Sequence, residues 1–258
     1  SLCEWSADVC CYALLVYRPA FPVWFRMLQA GAVFLVALQI LVLFSGLILA
    51  AGSPDVFFTS VLMAQDELVY SLLIAVLVII ISLPLSFAAA QELKRPGVRG
   101  AAAWMIVLVP LAIPAPLIGI GMITVGNLPV LSAVYPALIM PALVSVVKFA
   151  PLAAIVLFIQ MRFIDPLLFD AAAVFAKSRW DAWTRIHLPL FAPGLVVSAG
   201  ILAALTLAEL GATLIVSPPG YATITMRIYN YLHYGSSSDV AGLCLMVTVL
   251  TLVISTGT

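Results

Sequence analysis

The chain has 258 residues, of which 65% are hydrophobic and 9% charged, and its formal net charge is zero. Soluble domains run near half apolar and about a quarter charged, so this composition excludes an ordinary globular domain and specifies an integral membrane protein. The charge balance excludes nucleic acid as a bulk electrostatic partner, and the length suits one membrane bundle. The expected fold class is all-α, a polytopic bundle of about six transmembrane helices embedded in the lipid bilayer.

Residues 1–27 form a mixed N-terminal segment, with Arg18 and Arg26 flanking a Pro- and aromatic-rich piece suited to the cytoplasmic interface. No basic start and small-residue cleavage site marks a secretory signal there. The first span is expected over Leu28–Ala51, within a domain of 28–52, and residues 56–258 form the remaining core. A short acidic loop carries Asp55, Asp66 and Glu67 to the second span, Leu68–Ala90, which contains Pro84. Lys94, Arg95 and Arg99 follow. The third span, Ala101–Ile123, holds Pro110, Pro114 and Pro116. Three prolines cannot all sit in one straight lipid-facing helix, so this span is expected to break and to be covered by neighbours or to line a cavity. The fourth span is Leu131–Gln160, with Pro136, Pro141 and Pro151, and the fifth is Leu190–Leu210. A longer loop, 211–239, precedes a last apolar run, Val240–Ile254. The chain begins on Ser and its last apolar run ends without a polar tail, so a fragment or one half of a longer polypeptide is expected, with the sixth span truncated.

Six spans put Arg18, Arg26, Lys94, Arg95, Arg99, Arg162, Lys177, Arg179 and Arg185 on one face. That face is the cytoplasm by the positive-inside rule. Only Arg227 falls outside, and Lys148 falls within the membrane.

The longest polar-rich stretch between two spans is Asp170–Gly194, at the cytoplasmic face. Asp165-Pro166 suits a helix start, and Ser178 followed by Asp181 suits a second cap. Pro189 is expected to end that second helix. The alanines Ala171, Ala172, Ala173 and Ala176 would let a partner approach closely. The stretch resembles the cytoplasmic loop of binding-protein-dependent ABC importer permeases, which runs Glu-Ala-Ala, three residues, Gly, about nine residues, Ile-x-Leu-Pro. Asp170-Ala171-Ala172, Ala176 and Ile186-His187-Leu188-Pro189 occupy those places, with Asp for Glu and Ala for Gly. The resemblance implies a type-I ABC importer permease fold in a bacterial-type inner (cytoplasmic) membrane, with the loop at 163–189. It also implies that Asp170, Ala171, Ala172, Ala176, Ile186, Leu188 and Pro189 contact a cytoplasmic ABC ATPase dimer. The implied partners are that ATPase, carrying ATP and Mg, an extracytoplasmic solute-binding protein, and a second permease unit as homo- or heterodimer.

Residues 217–242 resemble the outer loop of the iron(III) branch and of related phosphonate and thiamine importers. Iron(III) is therefore the expected cargo, with phosphonate, thiamine, polyamine and sulfate as alternatives. A secondary transporter or channel, or a non-transporting assembly subunit, are the readings from other classes. The chain has no Gly-x4-Gly-Lys-Ser/Thr stretch, so ATP chemistry would belong to another chain, and no cofactor and no catalytic residue are expected here. Cys3, Cys10, Cys11 and Cys244 lack zinc spacing. Tyr229, Tyr231, His233 and Tyr234 read as an aromatic belt rather than a metal site, so no metal is expected. Lys148 and Glu209 are the intramembrane polar candidates for the pathway. Counted along straight helices their depths differ by about 10 Å, and a direct pair is not expected.

Overall fold

The computed structural model describes residues 22–129, 139–165, 167, 168, 178, 183–234 and 237–256. The chain divides into two units, residues 1–46 and 47–258. Among the described residues, five helices are long and apolar enough to cross a membrane, or six when one bent pair counts as a span.

The first unit holds most of α1, Val23–Ala51, a 29-residue helix. It starts five residues before the expected position. The aromatic segment after Pro22 continues the helix, with Pro22 supplying the carbonyl for the first backbone bonds. Its apolar residues run all round the helix, as for a segment surrounded by lipid.

In the second unit, α2 (Pro54–Met63) occupies a stretch expected to be loop. Pro54 in its first turn and Asp55 beside it favour that start. The Ser60 hydroxyl donates to the Asp239 carboxylate at 2.6 Å, tying α2 to the last helix. Next come α3 (Gln65–Leu93), α4 (Val98–Ala112) and α5 (Ala115–Gly126). The expected break in the three-proline span is present: α4 and α5 meet at 108°. Pro114 bars its predecessor from the helical region, and Ile113 accordingly adopts φ −85°, ψ 128°.

The fourth span, α6, runs Met140–Phe163; residues 130–138, where it was expected to begin, lie outside the described set. A π-helical turn, Trp183–His187, leads into α7 (Leu188–Ala208). The expected loop 211–239 contains two helices, α8 (Thr213–Val216) and α9 (Ile224–Tyr234). The last helix, α10, runs Ser237–Thr256; its 20 residues extend about 30 Å, enough for a span rather than the shorter run expected.

Helices α3, α6 and α7 pack against one another and form the centre of the unit. Ile74 and Val78 of α3 meet Phe149, Ala150 and Ala153 of α6 and Leu202 of α7. Lipid offers no hydrophobic gain for such contacts, so close approach at small residues does the work. Ala142, Ala150, Ala153 and Ala154 are all buried on α6. The Ser86 hydroxyl adds a bond to the Ala150 carbonyl at 2.8 Å.

Candidate functional site

The stretch 163–189, which resembles a permease loop, is described at its two ends. Asp170, Ala171, Ala172 and Ala176 lie outside the described residues, as does Asp181. At the entry, the Asp165 carboxylate accepts a hydrogen bond from the Leu167 amide at 2.9 Å, the cap expected of that residue. At the exit, Ile186 is half-buried while Leu188 and Pro189 are exposed. Pro189 does not end a helix. It stands where the π-turn runs on directly into α7, so the chain stays helical through it. The loop therefore leaves from α6 and re-enters α7, two of the three helices that form the core. Gln160, near the end of α6, donates to the Leu190 carbonyl of α7 at 3.1 Å and bridges the two roots. Gly194 makes room for it: a Cβ there would fall 1.3 Å from the Gln160 Oε1.

Lys148 and Glu209 form a salt bridge, against the expectation from helix depth. That expectation treats both helices as straight rods rising from one plane. In fact α7 stops at Ala208, and Glu209 is extended at φ −75°, ψ 123°, where the chain turns back toward α8. The long ammonium arm of α6 supplies the remaining reach.

The Lys148 side chain is 25% exposed and that of Glu209 only 6%. The second carboxylate oxygen of Glu209 accepts from the Ala212 amide at 2.9 Å. Its backbone carbonyl accepts from the hydroxyls of Thr213, at 3.0 Å, and Thr225, at 2.9 Å. The broken span closes on the same place: a Cβ on Gly119 of α5 would lie 3.3 Å from the Ala212 carbonyl. Through its buried carboxylate and its backbone carbonyl together, Glu209 thus connects α6, the end of α7, α8 and α9. A buried charge needs pairing and further hydrogen bonds, and this one has both.

Toward the outer end by charge distribution, α9 lies on α3 and α10. Arg227 donates to Glu67 at 2.5 Å and to the Tyr231 hydroxyl at 2.8 Å. Burial works against the guanidinium charge. The bonds to Glu67 and Tyr231 outweigh it and hold the Arg227 pKa above the ordinary arginine value. Sequence reasoning misses this network, although Arg227 is its lone outer cation and Glu67 an acid on the same side. Of the four aromatic and imidazole groups of α9, Tyr229 and His233 pack with ring centroids 4.3 Å apart and Tyr234 lies 6.2 Å from His233, while Tyr231 points elsewhere. Tyr231 faces Arg227, the His233 Nδ1 lies 2.8 Å from the Tyr229 carbonyl, and Tyr234 is 91% exposed.

No family model matches the chain. It is 26% identical over 197 residues to PhnV of Salmonella paratyphi A, which bears the name 2-aminoethylphosphonate transport system permease protein. That match covers 74% of this chain and 72% of the relative. The PhnV of Salmonella typhimurium matches at the same identity and coverage. Among solved structures, a chain of a bacterial alginate ABC transporter, in complex with an alginate pentasaccharide-bound periplasmic protein, superposes with a TM-score of 0.63. It is 20% identical, over 90% of this chain and 94% of that one. The MetNI methionine ABC transporter in an inward-facing conformation gives a TM-score of 0.56 at 19% identity, over 80% and 95%. These likenesses bear out the resemblance read from the loop and the all-helical permease fold of a multi-pass inner-membrane protein. They do not single out the iron(III) branch.

Proposed function

We propose that this chain is the transmembrane permease subunit of an ATP-driven, binding-protein-dependent importer. It has no enzymatic role of its own, and ATP hydrolysis belongs to a separate ATPase chain. The observation that carries the reading is the Asp170–Pro189 stretch, rooted in α6 and α7 and spaced as in such permeases. Its partners are a cytoplasmic ATPase dimer that binds ATP and Mg, a solute-binding protein outside, and a second permease unit.

The mechanism follows from where the loop is anchored. Nucleotide binding moves the ATPase, the loop moves with it, and α6 and α7 transmit that motion to the core. A ligand can shift such an equilibrium only by its differential affinity for the two states, here those opening inward and outward. Asp170, Ala171, Ala172 and Ala176 seat against the ATPase, with Ile186, Leu188 and Pro189 forming the return into α7. The Lys148–Glu209 pair lies at the far end of α7 from the loop. Lys148 is the more exposed partner and the group that a passing anion would meet.

The cargo is a phosphonate, a class supported by the name of the relatives and compatible with a cation in the pathway. Iron(III) remains the second reading, on the outer-loop resemblance of residues 217–242 alone. Proteoliposomes containing the permease, its ATPase and its binding protein separate the two. ATP-dependent accumulation of labelled 2-aminoethylphosphonate, without accumulation of labelled iron(III), is the expected result. Iron(III) uptake without phosphonate uptake would reverse the assignment.

A further inference from the structure

The cytoplasmic ends of α3, α6 and α7 enclose an open cavity of about 410 Å³ that the transport reading does not use. Its rim carries Lys94, Arg95 and His187, and its floor Phe87, Met161 and Phe191. The floor is firmly held: Met161 is 3% exposed, Phe191 5%, and the Phe87 and Phe191 rings meet edge to face at 5.0 Å. Lys94 and Arg95 are exposed. Arg95 pairs with Glu92 at 3.1 Å, but half-exposed pairs of this kind are weak and exchange readily. Among the described residues, no carboxylate lines the cavity. The 29 residues of α3 extend about 44 Å, against roughly 30 Å of hydrocarbon, so its basic end lies at headgroup level.

We propose that this cavity binds the headgroup of an anionic phospholipid of the inner leaflet. The two cations and the imidazole meet the phosphate. Phe87, the partly exposed ring of the floor held in place by Phe191, takes the glycerol and the first acyl carbons. A free phosphate or phosphonate would satisfy the rim and leave the floor without an occupant, which favours the amphiphile. Basic pockets between spans at the cytoplasmic side recognise such headgroups, whose leaflet carries negative charge. The occupant also touches His187, the last residue of the π-turn joining the coupling loop to α7. A bound headgroup therefore steadies α7 relative to α3 at the root of the loop. Only this last consequence rests on the coupling reading; the binding itself does not.

The test is native mass spectrometry of the permease–ATPase complex, titrated with phosphatidylglycerol or with phosphatidylcholine of the same acyl chains. The expected result is retention of phosphatidylglycerol over phosphatidylcholine. Lys94→Gln with Arg95→Gln should weaken that preference by about fivefold for each cation removed. Lys94→Arg with Arg95→Lys should keep it, which separates charge from misfolding. Millimolar inorganic phosphate should not displace the lipid. Equal retention of both lipids by the native complex would overturn the proposal. So would an unchanged preference in the double glutamine variant, or displacement by inorganic phosphate, which would mark a site for a dissolved oxyanion.

Discussion

Lys148 and Glu209 differ in burial, and that difference sets the sign of a measurable asymmetry. Lys148→Met leaves the Glu209 carboxylate, 6% exposed, with one amide donor and no counter-charge. Breaking a buried pair in this way costs about 3–5 kcal/mol. Glu209→Gln keeps an oxygen for the Ala212 amide and leaves an ammonium that is 25% exposed and free to reorient. The loss there should be nearer 1–2 kcal/mol, about the scale of a charged hydrogen bond removed without a stranded partner. The double variant, Lys148→Met with Glu209→Gln, removes both charges and should recover most of the larger loss. Reversible denaturant unfolding of the four proteins in one detergent gives the cycle. The expected order is Lys148→Met most destabilised, with Glu209→Gln and the double both within about 1–2 kcal/mol of native. Equal losses in the two single variants would mean that the exposed side of Lys148 faces hydrocarbon rather than water. A double variant equal to the sum of the singles would mean that the two groups do not interact.

Three further outcomes follow from the packing. Gly119→Leu should cost about 2–3 kcal/mol by prising α5 from the Ala212 carbonyl, while Gly119→Ala should be nearly neutral, both read by thermal unfolding. Gly194→Ala should displace Gln160 from the Leu190 carbonyl, with a loss of about 1 kcal/mol that largely disappears in a Gln160→Ala background. Arg227→Met should cost about 1–3 kcal/mol by stranding Glu67. Because the guanidinium keeps its charge well above neutral pH, native stability should show no step from Arg227 between about pH 7 and 10. A loss in that window that vanishes in Arg227→Met would refute the assignment.

Much of this fold is legible because lipid imposes simple rules. Apolar runs locate the spans to within a few residues, and three prolines in one span announce a break, which the structure places at Pro114. The positive-inside pattern separates Lys94 and Arg95 from Arg227. What the sequence hides is tertiary. The helix at Pro54–Met63 is too short and mixed to stand out until its serine meets Asp239. The Lys148–Glu209 pair escapes because depth counted along a straight helix fails where the chain leaves the helix, as it does after Ala208. Pro189 reads as a stop signal, yet the chain stays helical through it, with the turn before it widened to a π-turn. The resemblance of the Asp170–Pro189 stretch to a permease loop is read by spacing alone; the described residues place its entry at Asp165, just after α6, and its exit at Leu188, the start of α7.

In the proposed function, the Asp170–Pro189 stretch couples an ATPase to the membrane core. The most direct measurement is ATPase stimulation by the loaded binding protein in vesicles containing permease and ATPase, comparing native protein with Asp170→Lys and Ala176→Trp. Stimulation should be present in the native complex and lost in both variants, with the assembled complex still recovered. Stimulation unchanged in both variants, or no ATPase associating with the native permease, would make the loop a plain connector and bring forward a secondary transporter.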